Sequence, residues 1–289
     1  MANIKDLKKK IKSTKSTLKI TSAMKLVSAA KLNRAQIAIT NARPYATELE
    51  ETIKVISALV EHYSHPYLQE KESKKAILLV ISANKGLCGG YNTQLGRKVK
   101  LFLKETDLEL ELCYIGKKVR DVLKEDPKNA GELFAFERND ATFDELQAVA
   151  KKLAKRFEEG EVGRVYVAYN LFRSAISFVP TIKQVLPMSL DKSSLDEIRH
   201  QYPFDFLYAP APEIILDALV PETFINSIYT CLLDSVAAEH GSRMTAMDSA
   251  VNNCKEAIRT LTLKMNKLRQ AAITTELIEV VSGAESLNG

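Results

Sequence analysis

The sequence has no tryptophan, and aromatic residues make up only 7% of it. Sheet-rich folds draw heavily on aromatic and β-branched side chains, so this scarcity favours helices. No apolar run approaches the roughly 18 residues a membrane-spanning helix needs. The lysines near the N-terminus are not followed by the apolar stretch of a secretory signal, so a cytoplasmic chain is expected. The cysteines, Cys88, Cys113, Cys231 and Cys254, lie far apart and form no CxxC pair. Free buried thiols in a reducing compartment fit that spacing better than disulfides. His62 and His65 could share a helix face, but no cysteine is nearby and Pro66 closes the segment, which argues against zinc. GxSxG, HExxH and any recognisable carboxylate pair are also missing; Glu239 and His240 are adjacent but have no second histidine one turn on. Neither a cofactor nor independent catalysis is expected.

Glycine and proline are absent from residues 1–43 and again from 242–282. Both stretches are rich in good helix formers and, at about 1.5 Å per residue, would make helices roughly 60 Å or more in length. In the first, Ile4, Leu7, Ile11 and Leu18 follow a heptad, and Ile20, Met24 and Val27 are read as continuing it after a small phase shift. The intervening stripe positions, Thr14, Thr21, Ser28 and Ala30, are small, which admits a close partner helix but not a stable solitary coiled coil. Pro44 is expected to kink this helix, with a second run over 45–63. In the last stretch, Met244, Met247, Val251, Cys254, Ile258, Leu261, Met265, Leu268 and Ala272 form a sustained seam, with Thr275 as its candidate end. A further helical pattern covers 222–240, with Pro221 suited to its start and Gly241 marking either a weak point or a close approach. Two long helices with unfinished stripes satisfy each other best as an antiparallel pair. Charge is uneven as well: residues 1–34 carry ten Lys or Arg against Asp6, about +9 locally, and the remainder is near −4.

Between the helices the period changes. The run 76–82 (AILLVIS) reads as a buried parallel strand, followed by a helix over 93–106, a strand over 108–115 and a helix over 117–125. A short strand over 133–136, an amphipathic helix over 143–159, a strand over 164–170 and an edge strand over 177–186 containing Pro180 complete the pattern. The fold class is α/β: a long antiparallel coiled coil of N- and C-terminal helices with an inserted Rossmann-like α/β domain. The expected domains are 1–65, 74–190 and 210–289, with 188–212 as a connecting loop.

One glycine turn invites a chemical reading. Gly86, Gly89 and Gly90 follow the first strand and precede a helix, where backbone N–H groups could cradle a phosphate. The spacing is neither GxGxxG nor GxxxxGK[ST], and Tyr114-Ile115-Gly116 stands where a ribose-binding acid would follow the second strand. A Rossmann-like nucleotide-binding enzyme using the Gly86–Gly90 turn is therefore the alternative, not the leading reading. The basic first helix has no aromatic residue in 1–44 to stack on bases or anchor in lipid, so nucleic acid and membrane surface are weaker partners for it than protein.

Three segments in order resemble the γ subunit of F-type ATP synthases. They are residues 11–31 (IKSTKSTLKITSAMKLVSAAK), the 86–92 turn (GLCGGYN) and 269–284 (RQAAITTELIEVVSGA), with Arg243-Met244-Thr245-Ala246-Met247 in support. The resemblance implies a non-catalytic rotor: paired helices inside a ring of α and β subunits, a globular domain beside ε and the c-ring, and proton-driven turning that drives the β sites through their states. By the same resemblance, Met24, Lys25, Arg269, Gln270, Thr274 and Glu276 contact or couple to β, while Leu277, Ile278, Val280 and Val281 occupy an upper bearing. Tyr208 would meet the c-ring, although Ala209 stands where family members often carry an acid. No cysteine pair occupies 190–240, so the chloroplast type of thiol regulation is not expected. A bacterial complex is implied, with the chain peripheral on the cytoplasmic face of the inner membrane and binding no nucleic acid.

Overall fold

The computed structural model describes residues 4–60, 63–123, 131–134, 136, 142–188, 198, 200, 202 and 206–288, with side chains as far as 284. Its elements are α1 (Ile4–Leu59), β1 (Lys75–Ile81), α2 (Tyr91–Glu105), β2 (Glu109–Ile115), α3 (Lys118–Val122), β3 (Leu133–Phe134), α4 (Phe143–Glu158), β4 (Arg164–Ser174), β5 (Ser177–Leu186) and α5 (Pro212–Asn288). One expectation about proline is corrected: the last helix begins at Pro212, with Pro221 inside it. The first passes through Pro44 as one element. Proline at the first helical position leaves no hydrogen bond unmade. Pro221 forfeits one, but its turn buries Leu216, Val220, Phe224 and Ile225, which outweighs the loss. None of the described helices is long and apolar enough to cross a membrane.

The chain forms two compact units, residues 1–28 with 244–289 and residues 29–243. In the first, α1 and α5 run antiparallel. The Lys25 ammonium donates to Asp248 at 2.6 Å, while Lys12, Lys15 and Lys19 share a groove with Thr262 and Met265. Leu7, Ile11, Thr21 and Ser28 are buried, with Thr14, Leu18 and Lys25 half-buried between them. These positions alternate steps of four and three without interruption. The expected phase shift is therefore absent: Ile20 and Val27 are exposed, at 58% and 59%, and Ala30 is exposed too. Spacing, not apolarity, sets the seam. Its threonines fit because their hydroxyls donate back to their own helix, Thr14 to the Lys10 carbonyl at 2.9 Å and Thr21 to that of Thr17 at 3.0 Å. On α5 the expected seam is covered from Met244 through Ala272, whereas Thr275 is exposed.

The second unit is built on a five-stranded sheet of order β3-β2-β1-β4-β5, parallel except for β5, which pairs antiparallel with β4. That order is the doubly wound, Rossmann-like one. The strand β1 is covered on both faces, and its side chains alternate between them. Ile77, Leu79 and Ile81 join α4, α1 and α5, while Ala76, Leu78 and Val80 join α2 and α3. Boundaries shift slightly from the sequence reading. The helix α2 starts at Tyr91, and β4 runs on to Ser174 because its hairpin with β5 extends the ladder. The helix α3 covers Lys118–Val122, with residues 124 and 125 of the expected helix outside the described set. Much of the 188–212 loop also lies outside it.

Two glycines are fixed by close approach. Gly241 is a contact point and not a weak one: a Cβ there would lie 2.8 Å from the Ala175 carbonyl oxygen in the β4–β5 turn. Gly116 has φ +89°, and a Cβ would fall 2.0 Å from the Ser82 carbonyl oxygen. Left-handed strain and a backbone clash then act together, so Gly116→Ala is expected to cost on the order of 3 kcal/mol. Urea unfolding of the two proteins checks this; an unchanged midpoint would refute the clash.

Candidate functional site

The crevice at the carboxyl ends of β1 and β4 is where a doubly wound sheet ordinarily receives a nucleotide. Here the chain fills it. The fully buried Tyr91 hydroxyl donates to the Ser235 carbonyl at 3.0 Å and lies 2.7 Å from Ser235 Oγ, which donates to the Ile81 carbonyl at 3.3 Å. Asn170, also buried, donates from Nδ2 to the Tyr91 carbonyl at 3.3 Å. The turn itself is stapled to α5. Arg243 donates to the carbonyls of Lys85 and Gly86, each at 3.3 Å, and pairs with Glu239 at 2.7 Å; Ser242 Oγ donates to the Cys88 carbonyl at 2.6 Å. A phosphate-binding turn presents N–H groups to solvent. This one offers carbonyls to an arginine. The nucleotide-binding alternative is accordingly not supported, and the glycine turn serves as a socket for α5.

The free surface lies elsewhere, at the end of α5. Arg269 and Gln270 are exposed, and from Ile273 onward every described side chain is exposed. Leu277, Ile278, Val280 and Val281 are each 60–69% exposed. Thr274 donates to the Gln270 carbonyl at 3.0 Å, so its hydroxyl is already engaged with the helix. Glu276 is exposed. Positions 270, 274, 277 and 281 fall on one helical face, and 269, 273, 276 and 280 on the next. Met24 and Lys25 belong to the same unit but not the same place. Lys25 pairs with Asp248, about 30 Å along the helix from Arg269 at 1.5 Å per residue. They form a second station on the pair, with Lys25 tied to α5 and Met24 half-buried beside it. A groove of about 640 Å³ lined by Lys8, Ile11, Lys12, Lys15, Lys19 and Met265 collects much of the N-terminal positive charge. In the other unit, Tyr208 is half-buried and packs on the core, 6.4 Å from the Phe206 ring, with Leu207 fully exposed next to it.

Other polar residues have structural work that sequence reasoning missed. Arg43 donates to Asp234 at 2.8 Å, and Asp234 is buried. Burial pushes the Asp234 carboxyl above the usual range, while the hydrogen bond and charge of Arg43 pull it back. The readable signal was an acid set within Cys231-Leu232-Leu233-Asp234-Ser235-Val236, an otherwise covered run. The buried thiols are inert for the same physical reason. Desolvation pushes Cys113 up to about 11 and Cys231 up to about 12, and raises Cys88 as well. The half-exposed Cys254 is the accessible one. A thiolate-selective reagent at pH 8 should therefore label Cys254 quickly and the other three only after denaturation. Rapid labelling of more than one thiol in the folded chain would contradict that placement.

Comparison with known proteins agrees with this geometry. A family model described as ATP synthase matches residues 3–287. The ATP synthase gamma chain of Bdellovibrio bacteriovorus is 40% identical, with both chains covered in full. That of Moorella thermoacetica is 39% identical, over 99% of this chain and all of the relative. Among solved structures, a chain of the central stalk and c-ring of Tetrahymena thermophila mitochondrial ATP synthase superposes with a TM-score of 0.60 at 26% identity, covering 80% of this chain and 99% of that one. A chain of Euglena gracilis mitochondrial ATP synthase, at 16% identity, shares the fold with a TM-score of 0.67 over 98% of this chain and 94% of that one. The chain belongs to the ATP synthase gamma family.

Proposed function

We propose that the chain is the central rotor shaft of a proton-translocating ATP synthase, coupling c-ring rotation to the conformational cycle of the catalytic β subunits. It is non-catalytic by itself; ATP chemistry belongs to the ring of α and β subunits around it. The observation that carries this reading is the apolar end of α5, where Leu277, Ile278, Val280 and Val281 stay exposed on a long helix. A patch of that kind marks an interaction surface. Residues 1–65 and 210–289 would serve as the shaft and 74–190 as the globular body. The body would contact ε and the c-ring, with Tyr208 at the c-ring side. On the shaft, Arg269, Gln270, Thr274 and Glu276 would meet loops of β, with Met24 and Lys25 as a lower station and the apolar end running in the upper bearing.

A turning shaft must not adhere at one angle, so its contacts should be individually weak. Exposed ion pairs from Lys8, Lys12, Lys15 or Lys19 to acidic loops would each contribute about 0–1 kcal/mol, which favours many shallow contacts over one deep one. The chain would sit at the cytoplasmic face of a bacterial inner membrane, held there by its partners.

Reconstitution tests the reading. The purified chain should neither hydrolyse ATP nor bind it at micromolar concentration, yet should assemble with α and β subunits into a complex that rotates during turnover. Failure to assemble would refute it. Within that complex, Arg269→Ala with Gln270→Ala should lower turnover several-fold. The melting temperature of the isolated chain should hardly move, since exposed substitutions typically change stability by no more than about 0.5 kcal/mol.

A further inference from the structure

Two ion pairs in the second unit join a long helix to another element. At the first, Asp234 on α5 accepts from Arg43 on α1 at 2.8 Å. At the second, Lys183 on β5 donates to Glu50 on α1 at 3.2 Å and to Ser227 Oγ on α5 at 3.1 Å. The first junction ties the two long helices together, and the second ties both of them to the sheet. Many other contacts between these elements are apolar, through Ile53, Ile56, Leu216, Phe224, Ile228 and Leu232. Apolar contact depends on area and has little direction, so it resists separation far better than sliding. Charged hydrogen bonds depend on distance and angle and resist sliding directly. Asp234, whose side chain is 4% exposed, is also shielded from the solvent that would otherwise compensate a lost partner.

We propose that these junctions are torque-transmitting ties of the molecule, with Asp234 and Lys183 as positioning residues that lock the two helices to each other and to the sheet under load. The proposal rests on the rotor reading above and adds to it where force crosses from the sheet to the helices. A purely structural role would show as lost stability alone. A torque-bearing role shows as slip: turnover continues while work output falls.

The test uses the complete proton-translocating complex in inverted membrane vesicles, recording ATP hydrolysis and ATP-driven proton pumping on the same preparation. Asp234→Asn combined with Lys183→Met should keep hydrolysis within about twofold of the parent and lower protons pumped per ATP at least threefold. Asp234→Glu, which retains the charge, should restore pumping in a chain carrying Lys183. If the double variant does not assemble, Asp234→Asn alone carries the test and should give a smaller loss in the same ratio. An unchanged ratio in the assembled variants, or a fall in hydrolysis and pumping together, overturns the proposal. Failure of the parent chain itself to support pumping would instead refute the rotor reading.

Discussion

The uninterrupted four-and-three spacing on α1 is the constraint on which the rest depends. It gives the helix a single narrow stripe, and a narrow stripe can be covered by only one partner along one line. In the first unit that partner is α5, arranged antiparallel, as the Lys25–Asp248 pair and the groove from Lys12 to Met265 establish. Much of what lies off the stripe stays in solvent, including Ile20, Leu26 and Val27. The exposed apolar residues of this unit follow from covering a two-helix seam and nothing more. They are also the surface a surrounding protein would meet.

In the second unit the same two helices take a different part. The sheet buries both faces, as a parallel sheet must, and the face formed by Ile77, Leu79 and Ile81 is closed by α4 together with α1 and α5. Polar groups then fix where α5 sits. Tyr91, Ser235 and Asn170 occupy the crevice, and Arg243 takes the carbonyls of the glycine turn. A site that elsewhere in this fold accepts a ligand is consumed here in holding a helix. That accounts for a Rossmann-like order of strands in a chain whose family role is mechanical.

Much of this was legible in the residues. Period 3.6 at the two ends and short apolar runs between them specified the element order, because each pattern has one economical way to bury its face. The seam of α5 was read correctly through Ala272, since Met, Val, Ile and Leu mark it plainly. On α1 the reading placed Thr14, Thr21 and Ser28 on the stripe correctly, but apolar character drew Ile20 and Val27 onto it as well, and both are exposed. Apolar character is a local property, whereas the line of contact is set by the partner helix. The helix start at Pro221 failed for a similar reason: local cost was visible in the sequence, and the distant packing that repays it was not.

By itself the sequence determined the two long helices, the alternation of strands and helices between them, and the family resemblance carried by residues 11–31, 86–92 and 269–284. Those are local properties, set by spacing and by the chemistry of neighbouring side chains. Only the tertiary structure decided that the glycine turn holds Arg243 and not a phosphate, that Gly241 meets Ala175, that Asp234 meets Arg43, and that Lys183 joins three elements. Each of these contacts spans many residues of chain, and no local pattern records which distant atom will arrive.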